Sequence, residues 1–486
     1  MSTQLGNVLS VLGWALFAGI SVIGVRMLSY WRSFLFSWGR YRQREQVTTH
    51  DLLGLAVPFI KVQITTRGSA GSSEVILRGI NNLVALADED PLFYGDFLSV
   101  EVVTESLAQA RLLQDRYADA PIEVLPLLLP TDYTTPNGTQ LKARGLHYAV
   151  ERRRDGWNAK PGKTFIVHYD EESVLLPSEF RKLVKHLVGT DKKILEGPIY
   201  YPLEYLDASV LCRAMEANRP VGCFECRRVM EAGVPLHLHG SNLVIEEAFE
   251  NEVGWDIGCL DGQPLIAEDY VFGMKAFTAA GSGVFGWHGC AMLEQPPFSV
   301  RSAFKQRHRW IFGVLQGLAL NRQLPGFMQL PLATRLRIVW GTRFRIFTFA
   351  LGAVVGGISL LLLPFLLTRA VEAFAAGRAA ALPWPAMSWL AVVGLLWLGS
   401  VLIGAWYNVC EAGMSRSHRA VEIARAVTVA PVAGLFESSA ALWAVIEWGL
   451  GRREVFWQPT PKTKQADVTA VWKAARPASL GPPSAE

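Results

Sequence analysis

Apolar stretches long enough to cross a bilayer lie at both ends of this 486-residue chain, with a polar block between them. Val8–Leu28 is a near-unbroken apolar run of about 20 residues, the length a helix needs to span hydrocarbon. No positive n-region precedes it and no A-x-A site follows, which predicts a retained anchor and not a cleaved signal. Arg26 closes the run, and Arg32, Arg40, Arg42 and Arg44 follow. Basic flanks stay on the cytoplasmic face, so the first residues are expected outside and the polar block in the cytosol. Ile346–Leu367 and Leu390–Trp406 are strong later spans. Ala420–Leu450 is less regular, since it carries Arg425, Pro431, Glu437 and Glu447, and ionisable groups in hydrocarbon are costly unless functional or paired. Arg452, Arg453, Lys462 and Lys464 beyond it favour a cytosolic tail. One crossing would put that tail outside, so a segment split at Pro431 or re-entrant is expected. Leu332–Arg345 interleaves arginines with apolar residues, which suits a helix lying in the interface.

The resulting layout is an anchor at 1–30, a basic juxtamembrane segment at 31–57 and a cytosolic domain at 58–330. An amphipathic interface helix follows at 331–345, then a transmembrane bundle at 346–450 and a partly disordered cytosolic tail at 451–486. A surplus of four Lys and Arg over Asp and Glu (47 against 43) is too small to point to nucleic acid. The only close cysteine pair, Cys223-Phe-Glu-Cys226, lacks the second pair a zinc site needs, and reads as packed, reduced thiols.

Within 58–330, strand-like Ile60–Thr65, Leu98–Thr104, Ile122–Leu129 and Thr164–Val167 alternate with helix-like Ser73–Leu86 and Ser106–Arg116. Strands alternating with helices predict an α/β domain, a mostly parallel mixed sheet with helices on both faces. Ligands of such sheets bind at the carboxyl ends of strands, where Thr66-Arg67-Gly68, Glu105 and Asp170–Glu172 fall. Neither a G-x-G-x-x-G nor a P-loop motif occurs, so phosphates would have to be held by a metal or by separate basic side chains.

Four stretches carry candidate chemistry. TFIVHYDEESVLL (164–176) ends a strand in clustered acids, whose mutual repulsion is relieved either by solvent or by a hard cation on Asp170 and Glu172. Lys142, opening the helix-like LKARGLHYAVE (141–151), is either a wet-face lysine or a diphosphate ligand. Glu268 and Asp269 in LIAEDYVFGMKAF (265–277) either cap a helix or act on a substrate. Gln306, Arg309 and Trp310 in EQPPFSVRSAFKQRHRW (294–310) lie late in a basic helix-like stretch.

In this order the pieces resemble the family 2, GT-A-type membrane glycosyltransferases: an early acid, KARGLHYA, DEE, AED and QRHRW. The wording TTRG, EVVTE, IVHYDEES, IAEDYVF and QPPFSVR is closer to the egghead-like β-1,4-mannosyltransferases, and more distantly to processive cellulose- and hyaluronan-type synthases. The chain has Glu105 where that family commonly has Asp, His147 for Asn, and D-E-E for D-x-D. The resemblance implies an inverting hexosyltransferase of the integral (plasma or inner) membrane, its catalytic domain facing the cytoplasm. It would move a sugar, mannose from GDP-mannose, onto a lipid-linked or oligosaccharide acceptor to form a β-glycosidic bond. It implies Mg²⁺ or Mn²⁺ on Asp170 and Glu172, and donor binding by Thr66, Arg67, Gly68, Glu105, Lys142, Asp170, Gln306 and Arg309. Asp269 is then the catalytic base, with Glu268 and Trp310 toward the acceptor. Two alternatives are a processive polysaccharide synthase using UDP-glucose or UDP-GlcNAc, and a catalytically silent nucleotide-sugar-binding membrane regulator. A transporter would leave the α/β block without purpose.

Overall fold

A computed structural model describes residues 3–42, 46–232, 238–324, 326–376 and 383–454. Arg44 and the tail from 455 onward, with Lys462 and Lys464, lie outside the described residues.

The run of near-continuous apolar segments forms one sheet, because strands buried on both faces need apolar residues on both sides. Its strands are β1 (Phe59–Thr66), β2 (Leu98–Thr104), β3 (Glu123–Leu128), β4 (Thr164–Tyr169), β5 (Ile194–Glu196), β6 (Leu243–Glu246) and β7 (Phe285–Trp287), in spatial order β7-β5-β6-β4-β1-β2-β3. Only β6 runs antiparallel to its neighbours. Helices cover both faces. Ile76, Ile80 and Leu83 of the helix Ala70–Ala87 pack on Val62 and Val100 from one side. Ala143, Leu146 and Val150 join Leu243 and Ile245 in the core on the other. The fold class is the one the alternation predicts.

The register aligns the strand ends. Thr66 lies opposite Thr104, so β1 and β2 finish together, while Tyr169 lies opposite Ile64 and β4 ends two residues earlier. Arg67 and Glu105 therefore leave the sheet level with each other, and Asp170 leaves the same edge beside Thr65.

The helices that frame this edge are, in chain order, α1 (Thr3–Arg42), α2 (Leu141–Arg154), α3 (Val210–Glu216), α4 (Arg219–Glu231), α5 (Glu268–Ala280), α6 (Val300–Leu320), α7 (Leu332–Ala375), α8 (Trp384–Glu411) and α9 (Arg416–Gly449). Among the described residues, four segments are long and apolar enough to cross a membrane: Val11–Ser37, Leu332–Leu362, Trp384–Glu411 and Arg416–Gly449. Small residues let them approach closely; a side chain on Gly352 of α7 would reach within 2.6 Å of Ser438 Oγ on α9.

Two expectations about these helices are corrected. The interface helix 331–345 is not a separate element, because α7 runs unbroken from Leu332 to Ala375. Its arginine load is partly neutralised in place, Arg345 pairing with Glu225 at 2.8 Å. The last segment is neither split nor re-entrant: α9 continues through Pro431 as one helix. The charges that argued for a break are paired: Arg425 with Glu422 of the same helix at 2.7 Å, Glu437 with Arg307 of α6 at 3.0 Å and Glu447 with His308 of α6 at 2.8 Å. Glu422 also meets Arg213 of α3 at 3.1 Å. Ion pairs with α3 and α6 thus lie along α9 from Glu422 to Glu447. Proline costs a helix one hydrogen bond and crowds the preceding turn, a loss tolerated where neighbouring helices pack around it; Ala426, Ala430 and Ala433 are buried against α3 and α8.

Candidate active site

The aligned strand ends open into a cavity of about 1940 Å³. Thr66, Arg67, Glu105, Lys142, Asp170, Glu172, Glu268, Asp269, Gln306, Arg309 and Trp310 all line it. Of the residues singled out from sequence, only Gly68 lies behind the wall. Its φ of 71° suits glycine, and a Cβ there would collide with Ser106 and Thr104. Gly68 donates from its backbone N–H to Thr66 Oγ1 at 2.9 Å, which closes the turn after β1, and Thr66 Oγ1 donates to Glu171 at 2.5 Å. At the next strand end Glu105 pairs with Arg144 at 2.8 Å.

Lys142 stands at the start of α2 and reaches across to the end of β4. Its ammonium lies 2.5 Å from Asp170 Oδ1, donates to the Gly240 carbonyl at 2.9 Å and is 4.0 Å from Glu268. A Cβ placed on Gly240 would sit 3.5 Å from Lys142 Nζ, 3.6 Å from Asp269 Oδ2 and 3.8 Å from Glu268 Oε1, so three charged groups converge there. Burial alone would lower the lysine, but Asp170 and then Glu268 hold it above its ordinary value.

Asp269 occupies the first turn of α5, where its carboxylate accepts from the Tyr270 N–H at 2.8 Å. A helix N-terminus favours a carboxylate, yet burial and then the neighbouring charge of Glu268 prevail, and push Asp269 up to about 8. Glu268 is raised as well, by burial that Lys142 only partly offsets. Arg309 is lowered by burial, with Glu268, Asp170 and Glu172 close enough to oppose the shift.

The face of α6 that lines the cavity follows the i, i+3, i+4 rule: Ser302, Gln306, Arg309 and Trp310. Gln306 accepts from Arg307 at 2.9 Å. The indole of Trp310 is not bare, because the guanidiniums of Arg219 and Arg307 lie 3.9 and 4.3 Å from its ring centroid. Arg307 is buried and bridges Glu216 and Glu437.

Several residues were not anticipated from sequence. Arg219, Arg345 and Arg26 line the same cavity from α4, α7 and α1. Gln295 lines it with both amide atoms buried and unpaired among the described residues. A single polar residue before two prolines or on a helix carries no pattern of its own, and only the closing of the fold brings these together. Cys223 and Cys226 are both free thiols and buried, the second 3.5 Å from His239 Nε2. Among the described residues, no group of three or more His, Cys, Asp and Glu could hold a metal unaided.

Residues 165–406, which span the acids of β4, the AED turn and α6, match the model of "Glycosyl transferase family group 2". The chain carries a family 2 glycosyltransferase domain. Relatives of this transferase domain include the β-1,4-mannosyltransferase egh of Drosophila melanogaster, 26% identical over 268 residues, which are 54% of this chain and 53% of that protein. The β-1,4-mannosyltransferase bre-3 of Caenorhabditis elegans is 28% identical over 289 residues, 58% of this chain and 57% of its own. The chain thus spans about half the length of the curated relatives it matches. Among solved structures, the mannosyltransferase PcManGT of Pyrobaculum calidifontis, in complex with GDP-Man and Mn²⁺, is similar at 15% identity and a TM-score of 0.42, covering 82% of this chain and 99% of that one. The transferase domain has the GT-A type of architecture, a mostly parallel sheet whose strand ends hold the site.

Proposed function

We propose that the chain is an inverting membrane glycosyltransferase that moves a hexose from a nucleotide sugar onto a lipid-linked acceptor. The observation that carries this reading is Asp269, a buried carboxyl raised to about 8 that shares one cavity with Lys142, Arg309 and Asp170. A general base works best with a pKa near the operating pH, and a buried cationic pair suits a departing diphosphate.

In this reading Asp269 takes the proton of the acceptor hydroxyl while that oxygen bonds to the anomeric carbon. The bond from that carbon to the diphosphate breaks on the opposite face, and the centre inverts. Lys142 and Arg309 hold the diphosphate oxygens. Thr66, Arg67 and Glu105, at the strand ends, lie toward base and ribose, and Gln306 steadies the donor. Glu268 and Trp310 face the acceptor. Gln295, with an unpaired buried amide, gains a partner when a sugar hydroxyl arrives, which removes the cost of its empty hydrogen bonds.

The residues fit a divalent ion. Asp170 offers hard oxygen at the cavity, already draws an ammonium to 2.5 Å, and has Glu172 two residues on. Mg²⁺ and Mn²⁺ are held by one or two carboxylates plus substrate phosphates, which agrees with the lack of a complete protein cage among the described residues. Such an ion would supply charge neutralisation at the leaving diphosphate. The relatives' β-1,4-mannosyltransferase names favour mannose as the sugar moved and a β-linkage in the product; with GDP-mannose as donor, one β-linked mannose would be added.

The test is to incubate the full chain in lipid nanodiscs with GDP-mannose, UDP-glucose and UDP-GlcNAc, then record which nucleoside diphosphate is released and how long the product is. GDP from GDP-mannose with one sugar added supports the reading. UDP release with polymer would make it a processive synthase, and donor binding without any release would make it a silent regulator.

A further inference from the structure

The cavity does not end at the transferase site. Along α7 it is lined by Thr342, Arg345, Thr348, Gly352, Val355 and Leu360, which recur on one helical face. At 1.5 Å per residue, the stretch from Thr348 to Leu360 adds about 18 Å of depth. Ile20 and Ile23 of α1 and Leu390 and Leu398 of α8 complete apolar walls there. Between this apolar part and the acids stands a set of arginines. Arg219 covers Trp310 at 3.9 Å. Arg345 lines the same space, and both guanidiniums act electrostatically on the Cys226 thiol. Deepest is Arg26, whose Nη1 donates to the Arg345 carbonyl at 3.0 Å and to Thr348 Oγ1 at 3.1 Å.

Arg26 is the telling member. It lies within an apolar span, and its guanidinium finds no carboxylate among the described residues; Tyr30 and Phe349 rings lie 5.1 and 5.9 Å from it, and its Nε is buried without a partner. Arg219 is only loosely neutralised, 3.6 Å from a Glu216 that is already engaged by Arg307. A guanidinium at membrane depth that is held only by a carbonyl and a hydroxyl, with no acid beside it, points to a functional site, and an anion is the partner that arginine forks select. A neutral acceptor would leave this charge uncompensated.

We infer that the acceptor is a phosphate-bearing lipid, whose phosphate rests between Arg26 and Arg219 with its hydrocarbon tail along α7 and its sugar toward Asp269. This rests on the glycosyltransferase reading for the sugar's direction, but not for the phosphate's binding. The order of the lining residues matches the order of such a molecule, tail, phosphate, sugar, along one continuous space.

The probe is a radiolabelled polyprenyl monophosphate retained by the purified full chain in detergent, with unlabelled competitors. Polyprenyl monophosphate is expected to compete at least tenfold better than the corresponding polyprenol, phosphatidylglycerol or inorganic phosphate. Arg26→Gln should cut retention about tenfold, and Arg26→Lys should restore part of it. Equal competition by polyprenol would overturn phosphate recognition. Equal competition by phosphatidylglycerol would reassign the arginines to a structural phospholipid, and by inorganic phosphate to a site that ignores the tail; either overturns the inference. The unmutated protein suffices for these comparisons if a variant fails to fold. Nucleoside diphosphate release is measured on the same preparation. Release without phosphate preference sinks this inference alone, and preference without release sinks the transferase reading alone.

Discussion

Two clusters of buried charge flank the same sheet, and burial raises the key carboxyl of each while their neighbours act in opposite ways. Beneath β1, β2 and β4, Lys61 lies 3.0 Å from Glu247 and 3.7 Å from Glu101, while Arg153 reaches Glu250 at 2.5 Å and Glu101 at 3.5 Å. His168 Nε2 is 2.8 Å from Glu250. Burial would raise Glu250, but Arg153 and then His168 outweigh it and hold the carboxylate down to about 2. At the strand ends Asp269 is equally buried, yet its nearest strong influence is another acid and it rises to about 8. In the first cluster Glu250 is matched by Arg153 and His168, while burial raises Glu101 despite Arg153 and Lys61. The second is matched only partly, which leaves room for a substrate to complete it. Perturbed groups of this second kind are what a catalytic site requires.

The largest effect should come from breaking the matched cluster. Glu250→Gln strands the Arg153 guanidinium in the interior, and removing one partner of a buried ion pair costs about 3–5 kcal/mol. We expect a large drop in the denaturation midpoint of the purified protein, with little folded material to assay. In the unmutated chain this carboxylate contributes stability above its unfolded pKa of about 4.5, lost as pH falls toward 2. Glu250→Gln should therefore flatten the acid limb of the stability curve.

Asp269→Asn should do the reverse. Turnover should fall by about 10²-fold or more while donor binding survives. Because the folded pKa is raised, ionisation of Asp269 costs stability progressively from about pH 4 to about pH 8. The amide should thus unfold at a higher temperature than the parent at pH 8, and at a similar one at pH 4. A collapse of donor affinity instead, with turnover per bound donor unchanged, would make Asp269 a binding residue. In the parent, turnover should climb with pH toward about 8, and a lower midpoint with donor bound would report Lys142 and a cation acting on the acid.

Chelation comes next: EDTA should lower turnover at least about tenfold, with rescue by Mn²⁺ or Mg²⁺ and no rescue in Asp170→Ala. Full activity in EDTA would remove the metal from the reading. The smallest change is expected of Trp310→Ala. Loss of one aromatic surface costs of order 1 kcal/mol, about fivefold, and should fall on transfer to the lipid acceptor more than on donor hydrolysis by water. Equal loss of both would place Trp310 with the donor.

Much of this was readable in the chain. Continuous apolar runs such as Leu98–Thr104 announced buried parallel strands, and the strand-end rule brought Thr66, Glu105 and Asp170 to one edge before any coordinates. The chemistry-bearing words DEE, AED and QRHRW were legible because they cluster in sequence. Arg26, Arg219 and Gln295 were not, since each is a lone polar residue whose surroundings come from distant parts of the chain, and the QRHRW word does not reveal that its Arg307 is buried between Glu216 and Glu437. The course of α9 differs from the expected one for the same reason: Glu437 and Glu447 look costly until Arg307 and His308, more than a hundred residues upstream, are set beside them.

Helix α9 gives the assembly a fixed height. Ion pairs near both of its ends and at its middle hold it to α3 and α6, while its flank packs on α7 and α8. It behaves as a brace, with no loose end on which the sheet could swing away from the bundle. The distance from the apolar groove to Asp269 is then a constant of the protein, and it works as a ruler. If the acceptor is the lipid-borne sugar proposed above, a carrier anchored in that groove would present its sugar at one reach, and the span of this brace would then favour one length of sugar head at the acid.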